Sequence, residues 1–90
     1  ASDTAPLNVT NHPNPFSDAT TLGFYMPDSG DFECAVFNWL GTRVALSRGT
    51  SGTGFVSFEW DASDQPAGLY VCRVEAAGFV VNHRMLLTRP

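Results

Sequence analysis

Glycine and proline punctuate this 90-residue chain at intervals of roughly 8 to 12 residues, and between them apolar and polar residues alternate with period two. An amphipathic helix needs apolar residues three and four apart, and no stretch sustains that spacing. The pattern predicts short strands at residues 7–10, 20–26, 31–39, 43–47, 54–60, 68–75 and 79–88. Strands this short, separated by turn signals at this spacing, belong to an all-β sandwich or barrel.

Alternation also assigns faces. Leu22, Phe24 and Met26 point one way, as do Phe32, Cys34 and Val36, then Val56, Phe58 and Trp60, then Tyr70, Cys72 and Val74. These residues are the expected core. Turn chemistry agrees: Pro27-Asp28-Ser29-Gly30 and Leu40-Gly41-Thr42 supply fixed-φ, side-chain-capping and positive-φ residues where the chain must reverse. Residues 48–54 contain Gly49, Gly52 and Gly54 and read as a mobile loop. Pro13 and Pro15 have no N–H to give a ladder, so residues 11–17 are expected to form an extended lead-in that crosses between sheets.

Ninety residues supply one core and one domain, with residues 1–6 expected as a linker from an upstream domain. Hydrophobic residues at 43% against 16% charged describe a folded chain rather than a disordered tail. Nine acidic and five basic residues give a formal charge of −4, which repels a phosphate backbone on average and argues against a nucleic-acid partner. Apolar runs fall far short of the roughly 20 residues of a membrane span. The start at Ala1-Ser2-Asp3 lacks the basic and then apolar pattern of a signal peptide, so an export signal is expected further upstream.

Several motifs carry a family resemblance: Asn11-His12-Pro13-Asn14-Pro15-Phe16, Ala19-Thr20-Thr21-Leu22-Gly23-Phe24, Val36-Phe37-Asn38-Trp39-Leu40-Gly41-Thr42-Arg43-Val44, Trp60-Asp61, Gly68-Leu69-Tyr70 and Arg84-Met85-Leu86-Leu87. In order and spacing, from Leu7 to Arg89, they resemble the C-terminal sorting domain of type IX secretion cargo. The Ig-like domain of the flagellar hook-capping protein shares much of the pattern. The resemblance implies a seven-stranded Ig-like antiparallel β-sandwich, non-catalytic, that directs a larger protein through the outer membrane to secretion or the cell surface. Its implied partners are the outer-membrane translocon, a sortase-like enzyme that removes the domain and attaches the cargo, and the upstream cargo domain. The family's Pro-Asn-Pro lead-in falls on Pro13, Asn14 and Pro15, its internal Gly-x-Tyr on Gly68 and Tyr70, and its basic last strand on Arg84 and Arg89. That last strand is often lysine-rich in the family; here it carries only two arginines.

These residues also have plainer roles. Pro13 to Phe16 can be a stiff connector whose phenylalanine plugs the end of the sandwich. Tyr70, two residues before Cys72, fits the tyrosine corner of Ig-like sandwiches. Cys34 and Cys72 both carry core parity, which leaves a disulfide and a pair of buried free thiols open. Asp61 and Asp64 can hold calcium with backbone carbonyls or close Asx-turns. No catalytic constellation, cofactor site or zinc signature is expected: there is no Gly-x-Ser-x-Gly elbow, and His12 and His83 sit far apart in the chain.

The alternation that buries Cys34 and Cys72 sends Ala35, Phe37, Leu69, Val71 and Leu86 to the opposite face of the same strands. An apolar patch on the outside of a sheet implies an occupant, namely the cargo domain, a translocon component or a second copy in a weak homodimer. The alternative is partial cover by the loop at residues 49–54. Two other readings compete with sorting. A carbohydrate- or protein-binding module would use Trp39, Tyr25 or Phe55 as a flat exposed row, and an Ig-like spacer would continue past Pro90.

Overall fold

Alternating apolar positions demand two sheets packed face to face, and the computed structural model, which describes residues 7–88, has that arrangement. The strands are β1 (Thr10–His12), β2 (Ala19–Met26), β3 (Gly30–Asn38), β4 (Arg43–Ser51), β5 (Gly54–Asp61), β6 (Gly68–Ala76) and β7 (Phe79–Leu87). One sheet has the order β1-β2-β5 and the other β4-β3-β6-β7, with antiparallel pairing throughout. The fold is an all-β, Ig-like sandwich in which the fourth strand pairs with β3 rather than with β5, as it would in a constant-type immunoglobulin domain.

The core forms where the pattern places it. Phe16, Leu22, Phe24, Val36, Tyr70, Cys72, Val74, Met85 and Leu87 are each at most 2% exposed. Each large apolar side chain so buried contributes about 1.5–3 kcal/mol of transfer free energy, which is what holds two sheets of marginal individual stability together. Three expected core residues are only partly buried. Val56 and Phe58 lie on β5, an edge strand, and a 270 Å³ cleft separates it from β4, with Cys34, Val36, Ala45 and Phe58 among its walls. Phe32 lays its ring over Gly49 and packs edge-on against Phe24, centroids 5.3 Å apart.

Two boundaries differ from the alternation. The first strand begins at Thr10 rather than Leu7 because Asn8 adopts φ +48°, which breaks the ladder. Leu7 and Val9 still bury their side chains, and the Leu7 carbonyl accepts the Tyr25 N–H at 2.7 Å. The expected mobile loop at residues 48–54 is mostly strand: β4 pairs with β3 as far as Ser51 opposite Gly30. Phe32 supplies the packing surface that Gly49 lacks, and Thr50 bonds Asp31 at 2.8 Å. These paired residues do not cover the outer face of the sheet.

The lead-in crosses between the sheets. β1 pairs with β2, and four residues beyond β1 Phe16 pairs with Leu87 of the other sheet. Both X–Pro bonds, His12–Pro13 and Asn14–Pro15, are cis.

Candidate functional site

Residues 72 positions apart in the chain meet at one end of the sandwich. The Asn14 Oδ1 accepts the Leu86 N–H at 3.1 Å, the Phe16 N–H donates to the Leu86 carbonyl at 3.0 Å, and the Thr88 N–H donates to the Phe16 carbonyl at 2.8 Å. β6 brings Gly68 opposite Leu87, Leu69 opposite Leu86 and Tyr70 opposite Met85. Pro13, Asn14, Pro15, Gly68, Tyr70 and Arg84 therefore converge on one end of the molecule. Arg89 lies outside the described residues.

Aromatic packing and a polar network fix this end. Phe16 packs edge-on against Trp60 at 5.8 Å, and Trp60 against Tyr70 at 5.4 Å. The Tyr70 hydroxyl donates to the Pro66 carbonyl at 2.6 Å, a tyrosine corner. Asn11 donates Nδ2 to the Pro13 carbonyl at 3.2 Å and to Thr20 Oγ1 at 3.1 Å, and that hydroxyl donates to Pro13 at 2.8 Å. Because Asn11 Oδ1 is the acceptor toward His83 Nε2 at 2.6 Å, that nitrogen carries the imidazole proton. Partial burial holds the His83 pKa below its ordinary value near 6.5.

Beside this end lies the outer face of the four-stranded sheet. One cross-strand row reads Arg43, Phe37, Val71, Arg84, and the next reads Leu46, Ala35, Arg73, Asn82. Arg43 joins the first row because the pairing skips Val44 between Val36 and Phe37, a bulge that re-aims the start of β4. Residues directly opposite share a face, so Phe37 and Val71 are neighbours bracketed by two guanidiniums. Ala35 is small enough to leave a 360 Å³ depression lined by Phe37, Arg43, Arg73, Glu33 and Glu75 as well. Leu69 and Leu86, 44% and 41% exposed, extend the apolar surface toward the sandwich end.

Trp39 and Leu40 stand beyond that surface at 70% and 68% exposure. Their turn is held by Asn38, whose Oδ1 accepts the N–H groups of Leu40 and Thr42, both at 3.0 Å, with Gly41 at φ +85° completing the reversal. Such a turn presents its two apolar side chains in a fixed position.

Charge is distributed unevenly. All four described arginines lie on this outer face: Arg48 pairs with Glu33 at 3.2 Å and Arg73 with Glu75 at 3.0 Å. Arg43 and Arg84 form no ion pair among the described residues. Asp18, Asp28, Glu59, Asp61 and Asp64 lie elsewhere, so the described arginines gather on one side, where Asp31, Glu33 and Glu75 are the described carboxylates.

Other residues singled out by sequence do not assemble a site. Tyr25 and Phe55 sit on the outer face of the other sheet and pack edge to face at 64°, and Trp39 lies on the β3–β4 turn of the opposite sheet, so the three form no flat row. Asp61 closes an Asx-turn by accepting the Ser63 N–H at 2.9 Å, and the Ser63 backbone and hydroxyl lower its pKa. Among the described residues no group of three His, Cys, Asp or Glu side chains is placed to hold a metal. Sequence reasoning missed Arg43, because a bulge leaves no trace in alternation. It also missed the Asn11–Thr20–His83 network, whose members show no spacing signal.

No curated protein matches the chain. The family model for secretion system C-terminal sorting domains matches residues 10–88, nearly all of the described domain. That match covers the lead-in, the tyrosine corner and the last strand, the segments that the fold brings together. The chain belongs to the secretion system C-terminal sorting domains, the signals that direct larger proteins through the outer membrane by type IX secretion to the cell surface or the medium.

Proposed function

We propose that the outer-membrane translocon reads the end of the sandwich where Pro13, Asn14, Pro15, Gly68, Tyr70 and Arg84 converge, together with the adjoining face around Phe37 and Val71. The observation that carries this reading is the bracketed row itself. An apolar pair with an arginine on either side that makes no ion pair among the described residues fits a partner surface that presents an apolar group flanked by carboxylates. Bulk electrostatics steers the approach, and the depression over Ala35 sets register. A sortase-like enzyme acts on the delivered protein, and the cargo domain joins through residues 1–6. The domain itself works by being recognised and needs no catalytic group.

The test fuses residues 1–90 to the C-terminus of a reporter that carries an ordinary export signal, followed in a type IX-competent bacterium and in a translocon-deficient strain. Reporter at the surface or in the medium of the competent strain alone is the expected result. Phe37→Ser with Val71→Ser should then hold the reporter in the periplasm while its unfolding midpoint stays close to that of the parent. Undiminished delivery by that double variant would overturn the assignment of the face. Sedimentation of the free domain separates the competing occupant: a dimer broken by the same two substitutions would assign the face to a second copy.

A further inference from the structure

Cys34 and Cys72 are buried in the middle of the four-stranded sheet, 1% and 0% exposed, with their sulfurs 2.9 Å apart. Cys34 faces Val74 and Cys72 faces Val36, so the two cysteines are diagonal neighbours on adjacent strands. Diagonal residues are about 7–8 Å apart along the backbone, with Cβ atoms closer, just beyond the usual span of a disulfide, so closure draws the two strands slightly together. Here the side chains have already closed that gap: each sulfur is the hydrogen-bonding partner of the other, and a bond of about 2.05 Å lies less than 1 Å away. The pair is too deeply placed to bond with another molecule. Val36, Ala45 and Phe58 are among the cleft walls beside Cys34.

We propose that Cys34 and Cys72 form a disulfide in the exported domain, closed before the two sheets pack. The inference rests on the sorting reading, which takes the chain through the oxidising periplasm. The two thiols give up two protons and two electrons. One sulfur–sulfur bond forms, and a protein disulfide of the periplasmic oxidising machinery is reduced to two thiols through a mixed-disulfide intermediate. Attack requires an accessible thiolate. In the folded domain the hydrogen bond to Cys72 and burial raise the Cys34 pKa far above the ordinary thiol range, which removes the nucleophile. Formation therefore belongs to the chain before packing, and the packed core afterwards shields the bond from reductant. The bond ties β3 to β6, the two central strands, beneath the Ala35–Arg73 pair and one row from Phe37 and Val71.

The experiment makes the whole 90-residue chain twice, once exported to an oxidising periplasm and once in a reducing cytoplasm. Each sample is unfolded in the presence of a thiol alkylator and weighed as an intact chain. The periplasmic chain is expected to take up no alkyl group and to be lighter by two hydrogens, and the cytoplasmic chain to take up two. Two alkyl groups on a periplasmic chain that unfolds cooperatively would overturn the proposal. A single Cys34→Ala variant takes up one group from either compartment, which confirms that the denatured thiol is reached. The oxidised chain should melt roughly 10 °C or more above the reduced wild-type chain, and equal midpoints would argue against the bond. Chains that are oxidised in the periplasm yet fail to sort leave the disulfide standing and defeat the sorting reading, whereas sorted chains with two free thiols do the reverse.

Discussion

The two ends of this sandwich are closed by different means. At one end the reversals are local: the β6–β7 hairpin turns on Ala77 and Gly78, both at positive φ, and β4 runs into β5 across two residues. At the other end the closure is long-range, with Asn14 and Phe16 bonded to Leu86 and Thr88 and a tyrosine corner beside them. Local turns cost little loop entropy and carry little information. A long-range closure forms only when the whole chain is in place, so a surface built on it reports that the domain has folded. A translocon that reads the long-range end accepts folded domains and ignores fragments.

The largest expected effect comes from unpinning that end. Phe16→Ala removes the ring packed on Trp60 and leaves a cavity among Trp60, Tyr70 and Leu87, so chemical denaturation should show a loss of about 3–5 kcal/mol. In a domain of this size that lowers the thermal midpoint by roughly 15 °C or more. A loss under 1 kcal/mol would mean that the lead-in is a mere tether.

The second prediction compares the two ends of one face. Arg43→Glu with Arg84→Glu reverses the bracket around Phe37 and Val71, and delivery of the reporter should fall roughly tenfold or more. The unfolding midpoint should barely move, since both side chains are exposed. Reversing the Arg48–Glu33 pair, two rows toward the local end, keeps net charge and should leave delivery unchanged. Equal losses from both changes, one of which leaves net charge as it was, would mean that recognition is not confined to the Arg43–Arg84 row.

Much of the long-range end was legible in the sequence, and the reasons differ by residue. Phe16 and Tyr70 announce themselves because an aromatic after two prolines, or two residues before a core cysteine, has few other places to go. The strand at residues 43–51 was half legible. Glycine spacing suggests a loop, but cross-strand partners decide otherwise: Phe32 over Gly49, Asp31 to Thr50, Glu33 to Arg48. The Arg43 position was not legible at all, because alternation carried through from Leu46 puts Arg43 inside, and only the bulge at Val44 turns it out. Leu7 shows the opposite failure: the pattern predicts a strand from Leu7, but Asn8 interrupts the ladder, and Leu7 is buried without being part of it.

Acid should loosen the long-range end selectively. The unfolded chain protonates His83 near 6.5, whereas burial lowers the value in the folded domain. Between those two values the unfolded state binds more protons, so stability is complete above about pH 6.5 and declines as pH falls toward the lowered value. Urea midpoints at pH 7.5 and 5.5 should differ for the wild type and converge for His83→Gln, which cannot titrate. Asp61 has its own lowered pKa and acts only at pH values below 3.8, outside this window. A wild-type midpoint that does not move would mean that burial does not hold the His83 pKa down.

The smallest effect is expected at the local end, and its sign is opposite. Ala77 holds φ +53°, a left-handed conformation that costs an alanine roughly 1 kcal/mol and an asparagine less. Ala77→Asn, followed by the native Gly78, gives the pair preferred for a two-residue hairpin turn. The substitution should therefore raise stability by about 0.5–1 kcal/mol, read as a higher urea midpoint at unchanged slope. Delivery of the reporter should be untouched, because the hairpin lies at the end opposite the converging segments. If Ala77→Asn changed delivery as strongly as Arg43→Glu with Arg84→Glu, the translocon would be sensing stability, and the two ends would be equivalent in function.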